Sequence, residues 1–342
     1  MFTISAIDPA LIILVNIYAD QFSDRQDTSV YNNGVMQVSV FVSVNYNGEA
    51  SDDEIIKYVQ NKVVIYSLNY GENVQWQKST IDNGFLHDTE HDANESPSIP
   101  PKKSDIRAVL YFTVPGGTAE GEHKWIAKLD GQQTSTKTAL TITVEPFEIS
   151  AGNLELVKKV TVNCAVLYVL KYKKGVFPIA QKLRNCIDFK GMKFSGTGAN
   201  SWVSMVMSNK GYKLGAFVEY RETSNIQIGK AFHEYSQDEL VIKGSGFDLC
   251  QQSYAAEIFS LCIDDTLALD PADVDAAWNE GVVMLQVRED GLGIWCMIHL
   301  DVEENDFVFQ DTFGGRVEVN INWDAGDSWG IWTIRSAKVV YP

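Results

Sequence analysis

Residues 31–44 read YNNGVMQVSVFVSV, and the alternation within them decides the fold class. Met36, Val38, Val40, Val42 and Val44 fall on one face, and Gln37, Ser39, Phe41 and Ser43 on the other. Period two is the spacing of a β-strand, whereas helical spacing would scatter these valines around the circumference. β-branched side chains also suit a pleated surface better than a helix. Asn32-Asn33-Gly34 supplies a tight turn just before, because Asn and Gly tolerate positive φ. A long strand over 35–45 follows, with one dry face and one wetter face.

Working outward, the same signature predicts strands at 11–18, 62–68, 107–113, 123–129 and 138–144. A short helix interrupts them. Ser51-Asp52-Asp53-Glu54 is an S-x-x-E capping box, and Ile55, Ile56 and Val59 follow at helical spacing. Asp130-Gly131 marks a hairpin between the strand ending at Leu129 and the one beginning at Thr138. Short strands with turn signals point to an immunoglobulin-like sandwich over residues 1–148. Pro146 opens a linker, with the boundary at 146–152.

The second region, 152–342, is longer and also strand-rich. Residues 160–172 alternate as one strand. Others are expected at 202–207, 214–220, 239–242, 257–263, 282–288, 294–302, 307–309, 316–322 and 330–341. Two short helices are expected, at 177–184 and at 270–278, the latter with Asp270 as N-cap and Pro271 at N1. That pattern fits a larger, jelly-roll-like sandwich. The fold class read from sequence is therefore all-β: two tandem antiparallel β-sandwich domains with a few short helices. A chain of 342 residues exceeds one ordinary core, which agrees with two domains.

The formal net charge of −17 opposes nucleic-acid binding, where a basic surface displaces counterions, and opposes attraction to anionic membranes. No apolar run reaches the length of a bilayer span. The apolar run 10–17 (ALIILVNI) is preceded by no Lys or Arg, so it reads as a first strand rather than a secretory leader. The expected protein is made in the cytoplasm and released as part of a particle or by lysis. Five cysteines (Cys164, Cys186, Cys250, Cys262 and Cys296) form no CxxC and read as buried thiols.

Two stretches concentrate ligand-type residues. His87-Asp88-Thr89-Glu90-His91-Asp92 places two His four apart among acids, so His87, Asp88 and His91 are candidate transition-metal ligands. The competing reading of 87–103 is a solvated acidic loop, because no apolar face accompanies it and Asn, Ser and Pro follow. The second stretch, 322–332, carries three Trp and two Asp around a turn. Asp324 and Asp327 with loop carbonyls suit Ca²⁺, and Trp329 beside those carboxylates suits a sugar ring. Core packing of Trp323 and Trp332 around a plain turn is the alternative.

No G-x-S-x-G, phosphate loop or dinucleotide fingerprint occurs. No cofactor is expected. Tandem sandwiches of this kind resemble structural and adhesive components of bacterial or phage-type particles, or toxin-associated factors. The leading expectation is a non-enzymatic structural or surface-binding protein. Its partners would be other protein subunits or a surface receptor, with homo-oligomers among its assemblies. The alternative is a carbohydrate-binding, lectin-like module, and the third a hydrolase with acids in a sandwich cleft.

Overall fold

The computed structural model describes residues 7–69, 76–90, 106–162, 165–177, 181–195, 202–207, 213–222, 225–236, 239–243, 271–288, 301–324 and 331–342, in parts of the second half by backbone alone. The chain is rich in strands arranged in several sheets, and it divides into two compact units. One comprises 1–147 with 313–315 and 341–342, the other 148–312 with 316–340.

The first unit runs β1 (Ile12–Tyr18), β2 (Asp27–Tyr31), β3 (Gln37–Tyr46), α1 (Asp52–Lys62), β4 (Val64–Ser67), β5 (Gln77–Ser79), β6 (Ile106–Thr113), β7 (Gly121–Leu129), β8 (Gln132–Gln133) and β9 (Leu140–Glu145). One sheet has the order β1-β3-β6-β5 and the other β2-β9-β7-β4, with β8 pairing β7. The alternation in β3 has its structural meaning here: Met36, Val38, Val40 and Val42 are wholly buried. Leu110, Trp125, Ile142 and Phe147 are buried in the same unit, and the Phe112 ring meets Trp125 edge-on at 5.5 Å. The opposite face of β3 is less wet than expected, since Gln37 and Ser43 are also buried.

One pairing departs from the purely antiparallel expectation. β2 lies parallel to β9, from Asp27 opposite Thr141 to Tyr31 opposite Glu145. Parallel neighbours need a long connection, and most of the unit intervenes between these two strands. The Asp130-Gly131 turn also works differently from the expected long hairpin. With φ of 47° and 85°, these residues close a two-residue turn onto β8, and β9 then returns beside the first half of β7.

The helix forms where the capping box marks it. Glu54 N donates to Ser51 Oγ at 3.4 Å, and Ser51 N donates back to Glu54 Oε2 at 2.9 Å. Ile55 and Val59 are buried on the side near β6. At the other end, Lys78 Nζ donates to the Gln60 and Val63 carbonyls at 2.8 and 3.2 Å, supplying donors where a helix has free carbonyls.

The second unit runs β10 (Leu154–Val162), β11 (Ala165–Tyr172), β12 (Leu183–Ser195), β13 (Trp202–Met207), β14 (Lys213–Glu222), β15 (Asn225–Ser236), β16 (Glu239–Lys243), α2 (Pro271–Glu280), β17 (Val282–Arg288), β18 (Asp301–Asp311), β19 (Arg316–Asp324) and β20 (Ile331–Val339). Its sheets have the orders β10-β11-β17-β13-β14-β15-β16 and β12-β18-β19-β20. Within the larger sheet, β17 returns beside β13 at the head of a meander, which is Greek-key order.

Two sequence expectations are corrected here. The single strand read over 160–172 is two antiparallel strands, with Val162 opposite Ala165, because the alternation runs on through the reversal. The helix expected over 177–184 is contradicted at its end, where Leu183 and Arg184 already belong to β12, while 178–180 lie outside the described residues. The second helix does form, from Pro271 at the expected first position, and runs to Glu280, two residues past the expected end. The strand expected at 257–263 and all of the cysteine side chains lie outside what is described.

Candidate functional site

Two of the metal-ligand candidates, His87 and Asp88, sit on a strap, residues 80–90, that lies along the first unit and touches both of its sheets. At its start, Asn83 N donates to Gln37 Oε1 at 3.0 Å and Asn83 Nδ2 to the Val35 carbonyl at 2.8 Å. Further on, His87 Nδ1 donates to the Gln37 carbonyl at 2.9 Å. These bonds explain why Gln37 is buried on the polar face of β3. At its end, Thr89 N donates to the Ser29 carbonyl of β2 at 2.9 Å.

Asp82 and Asp88 on this strap each meet a basic side chain. His87 Nε2 lies 3.1 Å from Asp82 Oδ1, and the ring packs at a tilt against Tyr111, centroids 5.1 Å apart. Burial raises the Asp82 pKa, but the Gly84 N–H and His87 outweigh it, so the carboxyl ends below its ordinary value. Burial, helped by the Asp82 charge, pushes the Tyr111 phenol up. Asp88 Oδ2 lies 2.8 Å from Arg25 Nη1 and accepts from Thr28 Oγ1 at 3.0 Å, while its Oδ1 accepts from Glu90 N at 3.0 Å. Glu145 accepts from Thr89 Oγ1 at 3.3 Å. Burial raises the Glu145 pKa, and Glu90 and Asp88 add to that, more than the Thr89 bond lowers it.

This arrangement does not converge His87 and Asp88 on one point. Both His87 nitrogens face acceptors, and the Asp88 oxygens face Arg25, Thr28 and a backbone N–H. His91 lies outside the described residues. Among the described residues, no group of three or more His, Cys, Asp or Glu is placed to hold a metal. The strap also corrects the solvated-loop reading of its first part: Asp88 and Thr89 are buried.

The aromatic–acidic stretch is placed only at its margins. β19 and β20 pair with Trp323 opposite Trp332 and Asp324 opposite Ile331, so Asp324 closes that ladder. Asp327 and Trp329 lie outside the described residues.

One surface was not singled out from the sequence. β1 is a terminal strand of its sheet, and Leu11, Ile13 and Leu14 are 36%, 55% and 50% exposed. A register shift between Ile12 and Leu14 against β3 leaves Ile13 and Leu14 both outward, with Ile12 and Val15 buried on either side. The signal was present in the sequence. An unbroken apolar run on a strand must either cover both faces or leave one apolar face in water.

Neither a family model nor a curated protein matches the chain. Among solved structures, the C-terminal domain of AspA, an antigen I/II-family protein of Streptococcus pyogenes, aligns over 97% of this chain and 100% of that one. The alignment has 9% sequence identity and a TM-score of 0.22, a likeness too loose to carry an argument about function.

Proposed function

We propose that this is a non-enzymatic structural or surface-binding protein that assembles through protein contacts, with the apolar side of β1 meeting a second copy of the chain. The observation that carries this reading is the exposed pair Ile13 and Leu14 on a terminal strand, with exposed Leu11 in the turn just before it. Contiguous apolar side chains on a sheet margin favour association. Charge argues for where two copies would meet. Residues 9–19 contain no charged side chain, in a chain of net charge −17 whose copies repel elsewhere. Three side chains fall short of the roughly 1,200 Å² of a stable interface, so assembly draws on further surface and depends on concentration. A component of a bacterial or phage-type particle, or a toxin-associated factor, would use such a margin. The test is sedimentation velocity across a concentration series. A mass that rises with concentration supports the reading, and a monomer at every concentration removes it.

A second reading, a lectin-like module, rests on the β19–β20 register, which sets Asp324 at the end of a ladder adjoining 325–330 in sequence. Its site would combine Asp324, Asp327 and Trp329. Tryptophan fluorescence titrated with candidate sugars and with Ca²⁺ tests it, in wild type and in Trp329→Ala. A response lost in the variant supports the site, and a response absent from wild type, or surviving in the variant, removes it.

A further inference from the structure

Three Asn-Gly pairs occur in the first unit: Asn33-Gly34, Asn47-Gly48 and Asn83-Gly84. An Asn followed by Gly is chemically labile, because glycine leaves its backbone nitrogen unhindered. That nitrogen attacks the Asn Cγ and gives up its proton, a C–N bond forms, and the Cγ–Nδ2 bond breaks to release ammonia. Water then opens the resulting succinimide at either carbonyl, giving aspartate or isoaspartate. The reaction requires the Asn side chain and the next peptide plane to rotate into line.

The structure treats the three pairs unequally. Asn33 is 1% exposed, and its amide is held at both ends: Oδ1 accepts from Val35 N and Met36 N at 2.9 and 2.7 Å, and Nδ2 donates to the Phe313 carbonyl at 3.0 Å. Asn83 is exposed, but Nδ2 donates to the Val35 carbonyl at 2.8 Å and Oδ1 accepts from Phe85 N at 3.3 Å. Its would-be nucleophile is also engaged, since Gly84 N donates to Asp82 Oδ1 at 2.6 Å. Asn47 is exposed in the link between β3 and α1, and its side-chain amide has no hydrogen-bond partner among the described residues.

We infer that Asn47 is a site of spontaneous deamidation in the folded protein, with Asn33 and Asn83 protected by the hydrogen bonds that hold their amides. A Cβ at 48 would lie 2.5 Å from the tip of the Tyr46 ring, which would have to swing aside for any larger residue. Conversion adds a carboxylate beside Glu49 and the acidic first turn of α1, Asp52, Asp53 and Glu54, so it leaves a charge-shifted form of the protein.

The test is incubation of the whole chain at mildly alkaline pH and 37 °C, with peptide mapping by mass spectrometry over time. A urea-unfolded sample serves as reference, and Asn47→Gln as control. In the native protein, Asn47 is expected to convert at least about tenfold faster than Asn33 and Asn83, the gap closing once unfolding frees all three amides. The charge-shifted species should be missing from Asn47→Gln. Conversion of Asn33 or Asn83 in the native protein as fast as Asn47 would overturn the inference. So would an intact Asn47 after a period in which the unfolded chain has reacted at all three sites.

Discussion

Arg25 Nη1 lies 2.8 Å from Asp88 Oδ2, pairing a loop residue before β2 with a carboxylate that sequence patterning alone would leave in solvent. Asp88 is 9% exposed, and its carboxylate faces that guanidinium, the Thr28 hydroxyl and the Glu90 N–H. Arg25→Met removes the cation and leaves the carboxylate in place. The expected cost is on the order of 2 kcal/mol, the penalty of a buried polar group that loses its partner. Urea denaturation of the variant checks it. Arg25→Met with Asp88→Asn should recover part of the loss, because the uncompensated charge is then gone.

Val40 has no exposed surface, and its neighbours along the same face are Val38 and Val42. Val40→Asp places an unpaired carboxylate in that core. The expected destabilisation is roughly 3 kcal/mol or more, read as a large fall in melting temperature. An unchanged melting temperature would mean that β3 does not form the centre of this unit.

Glu145 yields a pH-dependent prediction. Its pKa is raised above the ordinary 4.5, first by burial and then by Glu90 and Asp88. A carboxyl whose folded pKa lies above its unfolded value favours the fold while protonated. Stability from this group is therefore present below 4.5 and lost as pH rises through the folded pKa. Glu145→Gln keeps an acceptor for Thr89 without the charge. It should raise the melting temperature at neutral pH, with the gain shrinking in acid. A variant less stable than wild type at neutral pH would contradict this account.

The parts of the fold legible in the sequence are those whose side-chain period was undisturbed. In β3 a fully dry face carries the alternation, and in α1 the capping box and apolar spacing agree. β2 (DTSVY) was not legible, because Thr28 and Ser29 are buried through hydrogen bonds to the strap rather than through apolarity. β12 was not legible either. Its register against β18 shifts four times, and each bulge moves the following side chains to the other face. The burial of the strap is not legible in the sequence because its polar side chains are answered by residues remote in sequence: Arg25 for Asp88, and the Gln37 carbonyl for His87. Of the aromatic–acidic candidates, Asp324 falls at the end of β19, two residues beyond the strand read over 316–322, where a register shift after Asn320 breaks the alternation.

The central claim, that β1 offers an apolar margin for assembly, is tested most directly by light scattering coupled to size exclusion, on wild type and on Ile13→Lys with Leu14→Lys. Both side chains are at least half exposed, so the double variant should keep the wild-type melting temperature. The account predicts a wild-type mass that climbs above that of one chain as concentration rises, and a variant that stays at the mass of one chain. A wild type that is monomeric throughout, or a variant that associates as wild type does, would contradict it.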